Sequence, residues 1–312
     1  MRFITVVLAL CCLAGCLDSG PKQSAAGAAE QTTGQTLQVI LIPADGGTED
    51  GTRADFQPLF EAISQNSSIK FNIRVAQSYN AVVEALCSGS ADVAFVGPAI
   101  FLQAQKRGCA DLLAVGVEHG KSEYFAGIFA RVNGGPQALG ELKGKSVAFG
   151  DVNSASSFIV PVAMLLNAKL DPLKDLDRVR IVGSHANAIS ALTHGQVDAA
   201  ALSLVSFDKA VNQGSVKASE IALIATSVAL PNPPIVMRST LSPNVKADLK
   251  AAFKSVASAS GVRAESLVGY GGKPVERYDT EFPTEKFASI QAMMDQVTPQ
   301  LTAGLLDKAA KP

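Results

Sequence analysis

The sequence has no tryptophan, only three histidines and only 18% charged residues among its 312 positions. The formal net charge is −1 and no long basic run occurs, so nucleic-acid binding, which depends on clustered Lys and Arg, is not supported. Low charge together with 47% hydrophobic residues is typical of a well-packed globular protein. The length suffices for two ordinary domains.

The signatures of catalytic and metal centres are also missing. His119, His185 and His194 do not have the spacing of metal ligands, and the sequence contains no G-x-S-x-G nucleophile elbow. We therefore predict that the protein is not an enzyme and needs no cofactor or metal.

An apolar run, FITVVLALCCLAGC, follows Arg2 at the amino terminus. It is too short to span a bilayer and suits the core of a signal peptide, so we predict a signal segment over 1–16. Its end, Leu13-Ala14-Gly15-Cys16, resembles the bacterial lipobox, whose cysteine becomes the lipidated first residue of the mature protein. The alternative is an ordinary secretory signal with an incidental Cys16.

Residues 17–36 are rich in Ser, Gly, Ala, Gln and Thr and have no periodic apolar pattern. This composition predicts a flexible tether. We expect the folded part to lie in the periplasm or on the outer face of the cytoplasmic membrane, attached through the lipid on Cys16.

Strand and helix patterns alternate after the tether, and the alternation restarts near residue 123. It predicts an α/β fold with mostly parallel sheets, arranged as two Rossmann-like lobes joined by extended hinge crossings near 123–133 and 223–238. The strand patterns are LQVILIP (37–43), FNIRVAQ (71–77), ADVAFVGP (91–98), LLAVGVE (112–118), SVAFG (146–150), RVRIVG (178–183) and VDAAALS (197–203).

We assign residues 37–125 plus 235–312 to the first lobe and 126–234 to the second. Helices near 244–260 and 284–298 are expected to return to the first lobe. Ligands of such sheets bind beyond the carboxyl ends of the strands, so the two lobes would enclose a cleft that closes by a hinge motion.

The stretch VAFGDVNSASSFIVP (147–161) places Asn153 and three serines, Ser154, Ser156 and Ser157, between a strand and a helix. The start of a helix presents free N–H groups and the positive end of its dipole, and serine hydroxyls add donors without adding charge. The stretch contains no Lys or Arg. Either the serines cap the helix, or they form a neutral cradle for an oxyanion.

Several segments resemble the phosphate/phosphite/phosphonate-type substrate-binding proteins of ABC transporters, which are type II periplasmic binding proteins. The resemblance covers roughly residues 37–260 and implies a small phosphorus oxyanion as ligand and an ABC permease and ATPase complex as partner. We expect a monomer. The segments are SYNAVVEALCSGSADVAFVGPAIF (78–101), LKGKSVAFGDVNSASSFIVP (142–161), GSHANAISALTHGQVDAAAL (183–202) and LPNPPIVMRSTL (230–241).

The resemblance implies that several residues of the second lobe belong to the ligand-binding site. The residues that match the family's Ser-Thr-Ser-Gly oxyanion loop are Ser154, Ala155, Ser156 and Ser157. The resemblance implies that His185 donates to a ligand oxygen, although a capping or buried histidine is the alternative. Asp198 matches an acidic position and either accepts from a protonated ligand oxygen or ends a turn.

In the first lobe, Tyr79 opens a helix and either points into the cleft or packs in the core. Gly97 ends a strand, so the next backbone N–H groups are expected to face the ligand. The chain departs from the family at Ala99, Phe101 and Ala155, where the family often has Ser, Tyr and Thr. Three hydroxyl donors are therefore missing, which leaves the ligand's identity open.

Two cysteines, Cys87 and Cys109, follow the signal segment. In an arsenite-sensing subgroup of the family a cysteine holds arsenic and the protein signals to a membrane histidine kinase, which makes Cys109, or Cys87, an alternative arsenite ligand. Helix geometry, however, places both cysteines at the starting edge of ADVAFV, with Cys109 about 15 Å from the cleft. Since export compartments favour disulfides, a disulfide or two buried thiols is the competing interpretation.

Overall fold

The computed structural model describes residues 36–43 and 49–311. The predicted signal segment (1–16), Cys16 and almost all of the predicted tether (17–36) lie outside the described residues. Within the described residues, no helix has both the length and the apolarity that crossing a membrane requires.

Strands and helices largely alternate along the described chain. The strands are β1 (Thr36–Leu41), β2 (Lys70–Val75), β3 (Val93–Phe95), β4 (Ala110–Val117), β5 (Glu123–Tyr124), β6 (Ala126–Arg131), β7 (Ser146–Phe149), β8 (Arg178–Ile181), β9 (Ala199–Ser203), β10 (Ile221–Thr226), β11 (Leu230–Pro231), β12 (Pro234–Arg238) and β13 (Arg277–Asp279). The helices are α1 (Glu49–Asn66), α2 (Tyr79–Ser88), α3 (Pro98–Lys106), α4 (Val160–Asn167), α5 (His185–Thr193), α6 (Leu204–Asn212), α7 (Pro243–Ser255), α8 (Ala288–Gln296) and α9 (Pro299–Ala309), and a π-helical turn, Ala155–Ile159, precedes α4.

Two separate sheets define two lobes. The sheet of the first lobe has the order β13-β4-β12-β3-β1-β2, and that of the second has the order β10-β6-β9-β7-β8. β1 is parallel to β2 and β3, and β7 is parallel to β8 and β9, whereas β12 and β6 run antiparallel to their neighbours. The predicted α/β fold with two lobes is confirmed. The sheets are mixed rather than mostly parallel as predicted, because β6 and β12, the strands that follow the two crossings, and the edge strands β10 and β13 run antiparallel to the strands they pair with.

The chain crosses between the sheets at β5 and β11, which pair antiparallel with Tyr124 opposite Leu230. The Asn232 N–H extends this pairing by donating to the carbonyl of Ser122 at 2.9 Å. The long extended stretch predicted near 223–238 is therefore divided into β10, β11 and β12. Both crossings lie side by side in one short ribbon.

The carboxyl-terminal helices do not all return to the first lobe. α7 packs against β4 and β13 of the first lobe, and α8 contacts α3 and α4 from different lobes, but α9 packs against β8 of the second lobe. Lys308 Nζ donates to the carbonyls of Leu173 and Leu176 at 2.8 and 2.7 Å. Gly304 permits this packing because a Cβ there would lie 3.1 Å from Leu173 Cδ1. The expectation that this region packs on the first lobe is wrong for α9.

Cys87 and Cys109 form a disulfide with a Cα–Cα distance of 4.8 Å. It joins the last turn of α2 to the residue before β4, which agrees with the predicted positions of the two residues at one edge of the sheet. Since the bond leaves neither sulfur as a thiol, the arsenite alternative for Cys109 is not favoured.

Candidate ligand-binding site

Ser154 begins the helical segment that follows β7. Its N–H donates to the Asp151 carbonyl at 2.9 Å, and its hydroxyl accepts from the Ser157 N–H at 3.2 Å. Ser154 is thus the N-cap of the π-helical turn Ala155–Ile159. Single π-helical turns are frequently found at functional sites. The capping interpretation applies to Ser154, but it does not account for the hydroxyls of Ser156 and Ser157.

The hydroxyl of Ser156 is hydrogen-bonded to the phenol of Tyr124. Both residues are almost fully buried. Burial raises the pKa of the Tyr124 phenol, and the bond to Ser156 only partly offsets this. Tyr124 therefore stays neutral, and its hydroxyl connects the crossing strand β5 to the serine loop.

Ser157 presents a different arrangement. Its side chain is fully buried, and its Oγ has no hydrogen-bond partner among the described residues. It lies against Gly150, where any Cβ would collide with that oxygen. Buried hydroxyls without a partner are rare because each forfeits the free energy of its lost hydration. The loop therefore carries one buried hydroxyl that no described residue pairs with.

His185 is the first residue of α5, after the N-cap Ser184. Its side chain is 1% exposed, and its Nδ1 lies 3.1 Å from the backbone N of Ser203. Since that N–H can only donate, Nδ1 accepts, and the proton of the neutral ring is on Nε2. His185 Nε2 is thereby oriented as a donor.

Tyr270 meets this donor. Its hydroxyl lies 3.2 Å from His185 Nε2, 3.1 Å from Ser203 Oγ and 2.9 Å from Ser206 Oγ. Ser203 caps α6 by accepting from the Ser206 N–H at 2.9 Å. A residue of the segment between α7 and β13 thus contacts the starts of two helices in the second lobe.

Tyr79 is the first residue of α2 in the first lobe. It is 2% exposed, and its backbone N–H donates to the carboxylate of Asp151 in the second lobe. Gly97, the N-cap of α3, is adjacent, since a Cβ there would lie 3.9 Å from Tyr79 Cε1. Tyr79 and Gly97 therefore lie where the two lobes meet.

Ala99 and Phe101 belong to the core of the first lobe. Both are fully buried, and the Phe101 ring packs on Phe287 with a centroid separation of 5.0 Å. The structure does not bring the Phe101 side chain to the serine loop. Ala155, in contrast, lies within the loop and is buried there.

Asp198 is not brought to the site either. Its carboxylate accepts from the N–H and hydroxyl of Ser146 at 2.8 and 2.7 Å, at the amino end of β7. β7 and β9 are parallel, so this is the edge opposite to the serine loop. Burial opposes ionisation, but the bonds from Ser146 prevail and lower the pKa of Asp198. Of the two alternatives for Asp198, a contact with the ligand or a structural role, the geometry favours a structural role in which the carboxylate joins β7 to the start of β9.

Asp151 is the acidic group closest in sequence to the loop. Burial raises its pKa, although hydrogen bonds from Asn153 and from the Tyr79 N–H act in the opposite direction. The polar side chains described around the loop are otherwise neutral: serine hydroxyls, phenols, the imidazole of His185 and the amide of Asn153. In the described part of the chain no group of His, Cys, Asp and Glu is arranged to hold a metal ion.

Four residues of this arrangement were not predicted: Tyr124, Ser203, Ser206 and Tyr270. Ser203 ends VDAAALS at a strand-to-helix junction, the same position that Ser154 and Ser184 occupy, and this repetition could have revealed it. Tyr270 lies beyond the segments that carry the family resemblance. Its surroundings, Gly-Tyr-Gly-Gly, indicate only a turn.

Residues 47–273 match the family described as "ABC transporter, phosphonate, periplasmic substrate-binding protein". The Phosphate-import protein PhnD of Mycolicibacterium smegmatis is 25% identical over 249 residues, which are 75% of this chain and 75% of that protein. The phosphonates-binding periplasmic protein of Escherichia coli is 25% identical over 204 residues, which are 64% of this chain and 60% of that protein.

Two solved structures share the fold. A binding-protein component of an ABC phosphonate transporter from Pseudomonas aeruginosa has a TM-score of 0.73 at 18% identity, over 88% of this chain and 95% of that one. A protein from Prochlorococcus marinus in complex with methylphosphonate has a TM-score of 0.73 at 17% identity, over 84% and 98%. At these identities the likeness concerns the fold.

Proposed function

Because the chain belongs to the family of periplasmic substrate-binding proteins of ABC phosphonate transporters, we propose that it captures a small phosphorus oxyanion, a phosphonate, phosphite or phosphate. It delivers this ligand to the permease and ATPase complex of an ABC importer and acts as a monomer. The family consists of solute-binding proteins rather than enzymes, and its compartment is the periplasm.

The observation that carries the proposal is the buried Ser157 hydroxyl, which has no partner among the described residues. It lies in one loop with Ser156, and the His185 Nε2–H is a further oriented donor nearby in the fold. An oxyanion offers acceptors to the two serine hydroxyls, and to the His185 Nε2–H once it displaces the Tyr270 hydroxyl from that donor. A hydrogen bond to a charged acceptor is stronger than one between neutral groups, which favours this exchange. Neutral donors also suit a receptor that must release its ligand, because they add no opposite charge.

We propose that Cys16 carries the lipid that holds the protein at the membrane. Its support is the sequence alone, the apolar run that ends in Leu13-Ala14-Gly15-Cys16. Mass spectrometry of the mature amino-terminal peptide tests this: we expect a diacylglyceryl mass on Cys16 and its loss in Cys16→Ser. An unmodified mature Cys16, or cleavage at another position, would contradict the anchor.

Isothermal titration calorimetry of the full chain with phosphate, phosphite and methylphosphonate tests the ligand class. We expect at least one of them to bind, and Ser156→Ala to weaken that binding by about 1–2 kcal/mol, the scale of a lost buried hydrogen bond. The matched control is Ser219→Ala, which removes an exposed serine hydroxyl of the second lobe. Absence of binding by all three anions, or equal affinities of the two variants, would contradict the proposal.

A further inference from the structure

Tyr270 belongs to the chain segment that we assign to the first lobe, but its hydroxyl lies against the second lobe. Only 6% of its surface is exposed, and its hydroxyl lies within hydrogen-bond distance of His185, Ser203 and Ser206 in the second lobe. It thus meets the imidazole N–H that the family resemblance implies as a donor to a ligand oxygen.

The ring of Tyr270 is held from two sides. It stacks on Phe95 with a centroid separation of 6.4 Å and meets Tyr124 edge-on at 5.7 Å. Since the hydroxyl of Tyr124 is bonded to Ser156, the Tyr270 ring lies one side chain away from the serine loop. Tyr270 therefore forms a wall beside the starts of α5 and α6, one side chain away from the loop.

The turn that carries Tyr270 is fixed against the second lobe. Gly269 N–H donates to the Lys273 carbonyl at 2.7 Å, and Gly271 has φ = 70°, a backbone conformation that favours glycine. A Cβ on Gly271 would lie 2.6 Å from Val205 Cγ1 of α6. Lys273 pairs with Asp208 of α6 at 3.1 Å. The wall is anchored by these contacts rather than by the hydroxyl alone.

We propose that Tyr270 sets the size of the ligand: its ring occupies the space toward which an organic substituent on the phosphorus would extend, so the protein selects oxyanions with no substituent or a methyl group. This inference rests on the proposed function and specifies its substrate class. The aromatic ring is the determinant, because it supplies the volume, whereas the hydroxyl keeps the ring in place.

Calorimetric titration of the full chain with phosphite, methylphosphonate and propylphosphonate tests the inference. We expect the wild type to bind propylphosphonate at least about tenfold more weakly than the best of the smaller anions. This is the factor by which pockets commonly discriminate between ligands that differ by one methylene group. Tyr270→Ala and Tyr270→Leu are expected to reduce this ratio about tenfold, because both remove ring volume. Tyr270→Phe, the matched control, keeps the ring and is expected to keep the ratio within about threefold of the wild type.

The leucine variant retains apolar contact with Phe95 and serves if the alanine variant fails to fold. A size preference that persists in the folded smaller variant overturns the inference but leaves the proposed function intact. Equal wild-type affinities for methylphosphonate and propylphosphonate have the same effect. Absence of binding of every phosphorus oxyanion to the wild type overturns the proposed function, and the inference with it.

Discussion

The phenol of Tyr124 in the crossing strand β5 is hydrogen-bonded to the hydroxyl of Ser156 in the serine loop. The contact joins the segment that connects the lobes to the segment proposed to hold the ligand. Both partners are buried, so the bond is shielded from competition with water.

The first prediction is that Tyr124 and Ser156 are energetically coupled. Tyr124→Phe and Ser156→Ala are each expected to lower the free energy of unfolding by about 1 kcal/mol, because each removes one hydroxyl and leaves the buried hydroxyl of the other residue without its hydrogen bond. The double variant is expected to cost less than the sum, with a coupling of about 0.5–1.5 kcal/mol. Urea unfolding of the four proteins measures the cycle, and strictly additive effects would contradict the coupling.

The second prediction concerns Ser157. Ser157→Ala is expected to raise the stability of the ligand-free protein by about 1 kcal/mol, because it removes a buried hydroxyl that lacks a partner among the described residues. The same change is expected to weaken binding of the best phosphorus oxyanion. Thermal unfolding with and without that anion measures both effects.

Ser154→Ala is the comparison for this change, since Ser154 caps the helical turn and its loss is expected to destabilise the ligand-free protein by about 1 kcal/mol. Opposite signs for the two serines distinguish a binding hydroxyl from a capping one. A clear loss of stability in Ser157→Ala would show that its hydroxyl already has a structural partner.

The third prediction concerns pH. Burial raises the pKa of Asp151 in the folded state above its ordinary value of 3.8. The folded protein therefore holds this proton more tightly than the unfolded chain does, and the contribution of Asp151 to stability falls as pH rises from 3.8 through the raised folded pKa. Asp151→Asn removes the titration but keeps an oxygen that can accept from the Tyr79 N–H.

Urea unfolding of wild type and Asp151→Asn between about pH 3 and pH 7 measures this contribution. We expect the wild type to lose stability relative to the variant as pH rises, and the difference to level off above the folded pKa. A difference that does not depend on pH, or one that changes in the opposite direction, would contradict the burial argument.

The fourth prediction is that Cys87 and Cys109 stabilise the fold without taking part in binding. Their disulfide spans a sequence separation of 22, and its removal in the double Cys→Ser variant is expected to cost about 2–4 kcal/mol of stability. Affinity for the phosphorus oxyanion is expected to remain unchanged. Peptide mapping under non-reducing conditions checks the pairing, and two free thiols together with tight arsenite binding would reverse the assignment.

The sequence patterns were sufficient for the lobes and for the serine loop because both depend on local order. VAFG followed by Ser154 combines a buried strand with a capping residue, and such a junction lies at the carboxyl edge of a parallel sheet. The two alternatives for Asp198 could not be separated, because an acidic residue beside a strand gives no indication of which edge of the sheet it occupies. Only the pairing of β7 with β9 shows that it faces Ser146.

Contacts between distant segments could not be predicted from local sequence patterns. Tyr270 meets His185 across 85 positions of sequence, and no periodicity specifies such a pair. The same holds for Tyr124, which the alternating pattern identified only as part of an extended crossing. Unlike the serine loop, Tyr124 and Tyr270 thus have positions that depend on how the lobes fold against each other.

The packing of α9 on β8 bears on how the two lobes can be exchanged between relatives. A lobe connected only through β5 and β11 would be a self-contained insert, transferable as residues 126–234. Here α9 also contacts the second lobe: Lys308 donates to the carbonyls of Leu173 and Leu176, and Gly304, which has no side chain, packs against Leu173. A functional chimera must therefore take its second lobe and its carboxyl terminus from the same parent.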